Sequence, residues 1–106
     1  MIPINLSLIM SEVAAERARQ DAKWGEQNHD DGTGLDDGAS EVAEYYRLRT
    51  TGAMADGTIT WHLILLEEVY EALVEADPAK LRAELVQVAA VAVAWVEAID
   101  RRGGAR

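Results

Sequence analysis

Several glutamates in one short segment have a spacing that could bind a cation. Glu67, Glu68 and Glu71 lie within a single helical turn if the segment is a helix. Residues three or four positions apart share a helix face, so Glu67 and Glu68 both neighbour Glu71. Like charges at this spacing destabilise a helix by about a few tenths of a kcal/mol per pair, and no Lys or Arg lies between Leu63 and Glu75 to offset them. A bound cation would relieve this repulsion, and so would simple exposure to solvent.

A second group of oxygen ligands follows after a turn. Asp77-Pro78 is typical of a helix start, with Asp as the N-cap and Pro at the first helical position. If the two helices are antiparallel, residues equidistant from this turn lie at the same level, so Glu71 faces Glu84 and Glu68 faces Gln87. Three carboxylates and one amide oxygen would then converge. Ligand sets made only of oxygen favour Mg²⁺ or Mn²⁺ over zinc or copper.

The alternative interpretation of the same residues needs no metal. Glu67, Glu68 and Glu71 could form a solvated helix face, and Gln87 could be a hydrogen-bonded core amide. Gln87 is the only polar residue in the apolar run from Leu85 to Val96. Because a buried amide needs partners, a neighbouring carboxylate and metal cluster would also account for it. Both interpretations stay open at the level of these residues.

The apolar spacing predicts that helices position these side chains. We expect four of them, over residues 6–24, 39–50, from a cap at Thr58 or Thr60 to Ala76, and 78–100. A loop at about 25–38 is rich in Gly, Asp and Asn and is long enough to indicate a functional or mobile segment. No strand-like alternation and no internal repeat is present. The expected fold is a single all-α domain over residues 1–106, a bundle of about four helices.

The last predicted helix suggests self-association. Between Leu85 and Val96 it is apolar on nearly every side, and such a helix must be covered on all faces. Three partner helices from one small chain could hardly do this, so we expect the bundle to be completed in a homodimer or homotetramer. A monomeric core helix is the alternative.

Composition excludes several classes of protein. The 106 residues carry 19 Asp and Glu against 10 Lys and Arg, a net charge of −9, which disfavours binding to nucleic-acid polymers and anionic membranes. The absence of cysteine removes disulfide scaffolds, thiol nucleophiles and iron–sulfur clusters. The longest apolar run falls short of the roughly 20 residues that span a bilayer. No basic stretch precedes the apolar N-terminal segment, so we expect a cytoplasmic protein.

With these motifs in order, the chain resembles the MazG-like all-alpha nucleoside triphosphate pyrophosphohydrolases. The signature of that family is Glu-Glu-x-x-Glu, a spacer of a dozen or more residues, and Glu-x-x-Asp. Residues 67–71 match the first part, Ala72 to Ala83 form a 12-residue spacer, and Glu84 begins the second part. Gln87 departs from the pattern at its last position. Residues 16–29 and 84–100 also resemble the small phage and actinobacterial members.

The resemblance implies cleavage of a nucleoside triphosphate, ribo or deoxyribo, into the monophosphate and pyrophosphate. By position, Glu68, Glu71 and Glu84 would be magnesium ligands and Glu67 would orient or deprotonate the attacking water. Divalent ions lower the pKa of bound water and neutralise phosphate charge, so the chemistry agrees with these roles. Gln87 would be a weaker neutral ligand, act through water, or mark reduced activity.

The first helix and the loop after it would form the nucleoside side of the pocket. Trp24 could stack on a base, and Arg19 and Lys23 could contact phosphate. Donors and acceptors for base or sugar edges would come from Gln27, Asn28 and His29. Each has a structural alternative: Trp24 as a core anchor, Lys23 as a surface charge, and the polar residues as turn formers.

Two other classes of protein compete with this interpretation. A weakly active or inactive helical module that dimerises or binds a protein is suggested by Gln87. A ferritin-like di-iron protein also builds carboxylate clusters between helices, but it needs Glu-x-x-His on two of them. The only instance here, residues 26–29, directly follows Gly25 in the predicted loop.

Overall fold

The computed structural model describes residues 2–103, and its regular structure over that range is entirely helical. This confirms the predicted all-α class and the number of helices. None of these helices is both long and apolar enough to cross a membrane over the described range. The helices in chain order are α1 (Ile4–Trp24), α2 (Ala39–Asp56), α3 (Trp61–Leu73) and α4 (Pro78–Gly103).

The chain divides into two compact units. The first contains the described residues of Met1–Asp31 and Val93–Arg106, and the second is Gly32–Ala92. Helix α1 therefore belongs to the first unit, whereas α2 and α3 belong to the second. Helix α4 contributes its first part to the second unit and its last part to the first. All the predicted metal-site residues lie in the second unit.

Two side-chain caps fix where α3 and α4 begin. The hydroxyl of Thr60 accepts a hydrogen bond of 3.2 Å from the backbone N–H of Leu63. The carboxylate of Asp77 accepts one of 3.0 Å from the N–H of Lys80, and Pro78 is the first residue of α4. Each cap satisfies a backbone donor that has no partner within the helix. Of the two predicted caps for α3, Thr60 is therefore the one used.

Two predicted helix ends are wrong. Helix α2 does not stop near Thr50 but continues through Gly52 to Asp56, where Gly57 adopts a left-handed conformation as its C-cap. A glycine inside a helix costs only about 1 kcal/mol relative to alanine, so Gly52 is tolerated. Helix α3 ends at Leu73 rather than near Ala76.

The core of the second unit is built on close contact between α2 and α3. Ala43 and Ala53 of α2 are buried, as are Leu63 and Ala72 of α3. The rings of Tyr46 and Tyr70 stack between the two helices, with their centroids 5.6 Å apart. Small residues at the contact let the helices approach closely, so the register of α2 along α3 is well defined.

The end of the long loop is attached to the C-terminal end of α3. The N–H of Gly34 donates to the carbonyl of Leu73 at 2.9 Å, and the hydroxyl of Thr33 donates to the carbonyl of Glu75 at 2.5 Å. The first bond satisfies a carbonyl that the helix end leaves without an intrahelical partner, and the second binds the segment after the helix. Both attach the end of the loop to the region where α3 stops.

Gly34→Ala should destabilise the protein more than Gly32→Ala. Both glycines have φ near +70°, so each alanine incurs about 1 kcal/mol of backbone strain. A Cβ at Gly34 would also lie 2.6 Å from the Cβ of Ala76, whereas one at Gly32 would meet nothing within 4 Å. Urea unfolding should show a further loss of about 1–3 kcal/mol for Gly34→Ala. Equal losses in the two variants would contradict this packing.

Candidate metal centre

Three carboxylates from α3 and α4 come together in the second unit. Ligand oxygens of Glu68, Glu71 and Glu84 all lie within 4.8 Å of one another, and each side chain is partly buried. We call these residues the three-glutamate cluster. The antiparallel register about Asp77-Pro78 predicts this convergence, because Glu71 and Glu84 are nearly equidistant from the turn. The sequence spacing thus translates into spatial proximity.

The cluster disfavours its own ionisation. The pKa of Glu68 is raised above its usual value, first by removal from solvent and then by the charges of Glu71, Glu84 and Glu67. The pKa of Glu71 is also raised, by burial and by Glu67 and Glu84, while Arg47 opposes the shift. Without a cation, the ionised cluster is therefore held together against electrostatic repulsion.

A basic residue absent from the sequence-based prediction lies beside this cluster. The Nε of Arg47, on α2, is 3.9 Å from a carboxylate oxygen of Glu71. The same guanidinium is paired with Glu44, one turn earlier on α2. The spacing of Glu44 and Arg47 indicates only that local pair. The contact with Glu71 depends on the register of α2 against α3, for which the sequence carries no signal.

Glu67 and Gln87 are also predicted for the metal site, and neither belongs to the three-glutamate cluster. Glu67 lies on α3 and is partly buried, and it is not one of the three clustered carboxylates, although its charge raises the pKa of both Glu68 and Glu71. Gln87 is exposed on α4. The alternative of a core amide in this chain is therefore wrong. Metal ligation by Gln87 stays a prediction.

The predicted phosphate and base contacts on α1 belong to the first unit and are exposed. Arg19 pairs with Glu16 at 2.7 Å, and the Lys23 ammonium lies 4.9 Å from the centroid of the Trp24 ring. Trp24 is 63% exposed, so it is not a core anchor of this chain. An exposed ring with an adjacent cation has a face available for stacking.

The polar residues after α1 lie in a segment without helix or strand, as predicted. Asn28 donates to the carboxylate of Glu26 at 3.1 Å, and a ring nitrogen of His29 is 2.9 Å from the side-chain oxygen of Gln27. All are exposed and bond to near neighbours, as turn residues do. Because Glu26 and His29 are outside any helix, the Glu-x-x-His geometry of a di-iron site is not present here.

The donor set of the three-glutamate cluster fits a hard divalent cation. It consists of carboxylate oxygens alone, which Mg²⁺ and Mn²⁺ prefer. With bonds of about 2.1 Å to an octahedral Mg²⁺, neighbouring oxygens are about 3.0 Å apart and opposite oxygens about 4.2 Å. Since at most one pair of three ligands can be opposite, spacings of up to 4.8 Å require the flexible side chains to move inward. The donors and their charge suit such an ion.

No protein-family model, curated protein or solved structure matches this chain. Among the described residues, the three-glutamate cluster of α3 and α4 is therefore the feature that bears most directly on function.

Glu68→Gln should stabilise the metal-free protein. The substitution removes one of three mutually repelling charges and keeps the side-chain size, so a gain of about 0.5 kcal/mol is expected at neutral pH in the presence of EDTA. Glu41→Gln is the control, because Glu41 is an exposed glutamate in the first turn of α2. Its loss should destabilise slightly, since an acidic residue there favours the helix dipole. Urea unfolding compares the three proteins.

The stability gained by Glu68→Gln should also depend on pH, and the direction follows from the raised pKa of Glu68. A folded-state pKa above the usual 4.5 means that the contribution of Glu68 to stability is fully present below pH 4.5 and is lost as pH rises through the raised value. The advantage of Glu68→Gln should accordingly be near zero at pH 4.5 and largest at neutral pH. A constant difference across this range, or a destabilised variant, would contradict the electrostatic account.

Proposed function

We propose that this protein is a Mg²⁺-dependent nucleoside triphosphate pyrophosphohydrolase that converts ribo- or deoxyribonucleoside triphosphates into monophosphate and pyrophosphate. The observation that carries the proposal is the three-glutamate cluster, whose oxygens lie within 4.8 Å of one another. The order Glu-Glu-x-x-Glu, spacer and Glu-x-x-Gln supports it, because it resembles the motif of the MazG-like family. A metal site also explains how so acidic a chain would hold a polyanion.

The acidic residues have two proposed roles. Glu68, Glu71 and Glu84 hold the divalent ion, Mg²⁺ or Mn²⁺. When bound, such an ion neutralises phosphate charge and lowers the pKa of a coordinated water. Glu67 lies outside the cluster, so its carboxylate is free to orient the attacking water or accept its proton. Gln87 contributes a neutral oxygen, directly or through water.

The nucleoside would be bound by the exposed residues that the family resemblance singles out. In this proposal Trp24 stacks on the base, since one of its faces is accessible. Arg19 and Lys23 contact phosphate oxygens. Base and sugar edges are read by the amide and imidazole groups of residues 27–29, namely Gln27, Asn28 and His29.

Self-association is part of the proposal. Leu85 and Val86 on α4 are 51% and 56% exposed, and Ala89 and Ala90 one turn later are also exposed. Apolar residues on an aqueous surface favour contact with another apolar surface, and alanine permits close helix approach. A second copy of the chain supplies such a surface, giving a homodimer or homotetramer in the cytoplasm.

A second candidate function is favoured by Gln87 together with these apolar residues. A neutral amide at the last motif position weakens the ligand set, and the exposed face of α4 would suit a helical dimerisation or protein-interaction module with little or no activity. This candidate predicts association without turnover, which separates it from the pyrophosphohydrolase.

Turnover should release pyrophosphate and depend on Glu71. The purified protein is incubated with Mg²⁺ and a panel of ribo- and deoxynucleoside triphosphates, and pyrophosphate and orthophosphate are quantified separately. Glu71→Gln should lower kcat/KM by about 100-fold or more, because a charged ligand is lost. Glu41→Gln should retain activity. Release of orthophosphate alone, or no turnover across the panel, would rule out the proposed reaction.

Gln87→Asp should fold normally and keep or raise the activity. Gln87 is exposed in the single chain, so a carboxylate there is not buried within one copy of the fold. If Gln87 faces the ion, a charged oxygen should leave kcat/KM unchanged or raise it up to about tenfold. Steady-state kinetics and thermal unfolding of the same preparations measure both effects. A variant that folds but loses activity would show that the amide itself is required.

A further inference from the structure

The guanidinium of Arg47 is placed between two acidic groups on different helices. On α2 it pairs with Glu44, and across the α2–α3 contact its Nε lies 3.9 Å from Glu71. The side chain is 48% exposed, so part of it remains accessible to a ligand. The adjacent Tyr46 stacks on Tyr70 of α3, which fixes this part of α2 against the helix that carries the cluster. Arg47 is thus held at the cluster by the fold itself.

Its charge has opposite effects on two kinds of ligand. Beside Glu71, a positive charge partly neutralises the cluster and therefore competes with a divalent ion for the same carboxylate. If an ion binds, its charge would neutralise the carboxylate that the guanidinium otherwise pairs with. A planar group with several N–H donors is then well suited to phosphate oxygens, which it can bind in pairs.

We propose that Arg47 is an exchangeable counter-ion of the three-glutamate cluster: it pairs with Glu71 in the metal-free protein and binds the phosphate chain of the ligand after a divalent ion has entered. The proposal rests on the proposed function, because it takes the cluster to be the metal site. In this proposal Arg47 couples metal binding to polyphosphate binding. The ligand class is a condensed phosphate, recognised independently of any base.

Two titrations of Arg47→Gln test this coupling. Calorimetry measures binding of Mn²⁺ alone, and then binding of inorganic tripolyphosphate in the presence of saturating Mn²⁺. The Mn²⁺ affinity should rise about two- to fivefold, because an exposed ion pair that competes with the metal is lost. The tripolyphosphate affinity should fall about tenfold or more, because a charge-assisted contact is lost. A merely structural residue would not shift the two affinities in opposite directions.

Arg49→Gln is the matched control. Arg49 lies on the same helix, donates to the hydroxyl of Tyr45 at 2.8 Å and lies over its ring. Removing it deletes the same charge from α2, and both affinities should stay within about twofold of the wild type because surface charges act weakly through solvent. Arg47→Lys separates a specific effect from misfolding. It keeps the charge and should keep the Mn²⁺ affinity, but it should weaken tripolyphosphate binding several-fold.

The outcomes separate this proposal from the proposed function. If wild-type protein binds Mn²⁺, Glu71→Gln abolishes that binding, and Arg47→Gln and Arg47→Lys leave tripolyphosphate binding unchanged, the role of Arg47 is overturned while the metal site stands. If both affinities fall together in Arg47→Gln and stay unchanged in Arg47→Lys, Arg47 supports the site only through its charge, and the proposal is again overturned. If wild-type protein does not bind Mn²⁺, the metal site and the role of Arg47 fail together.

Discussion

The second unit holds three glutamate carboxylates of like charge close together, and the rest of the unit depends on this constraint. Glu68, Glu71 and Glu84 repel one another within 4.8 Å, and partial burial adds to the cost of ionising them. A flexible chain would separate them. They stay together because a short segment, residues 74–77, joins α3 to α4, and Asp77 caps α4 so that the glutamates of the two helices converge. A cation at this point would relieve the repulsion that the turn imposes.

The contact between α2 and α3 brings a positive charge to the cluster. Helix α3 itself has no Lys or Arg, whereas Arg47 reaches Glu71 from α2. That reach depends on the buried alanines and the tyrosine stack that set the register of the two helices. The packing of the second unit and the electrostatics of its site are therefore linked, because α2 both packs against α3 and places Arg47 beside Glu71.

Much of this site was predictable because it rests on local rules. Helical periodicity places Glu68 and Glu71 on one face, and Asp77-Pro78 sets the register that brings in Glu84. The end of α2 was not predictable from Gly52, since a glycine inside a helix costs little and Gly57 stops the helix instead. The contact of Arg47 with Glu71 was not predictable either, because it is tertiary and no sequence period specifies it.

Two exposed residues show a further limit of prediction from the sequence. Trp24 and Gln87 each had a core alternative, and both side chains are exposed in the chain. Burial is decided by packing between helices, which an apolar run such as Leu85 to Val96 does not specify. The net charge of −9 likewise says less than its distribution, since only the glutamates that converge form the proposed metal site.

The most direct test of the central claim is the anomalous scattering of crystals grown in Mn²⁺. The account predicts a strong anomalous peak within bonding distance of carboxylate oxygens of Glu68, Glu71 and Glu84, with all three residues as ligands. A well-ordered cluster without such a peak at saturating Mn²⁺, or a peak only at other carboxylates, would contradict it.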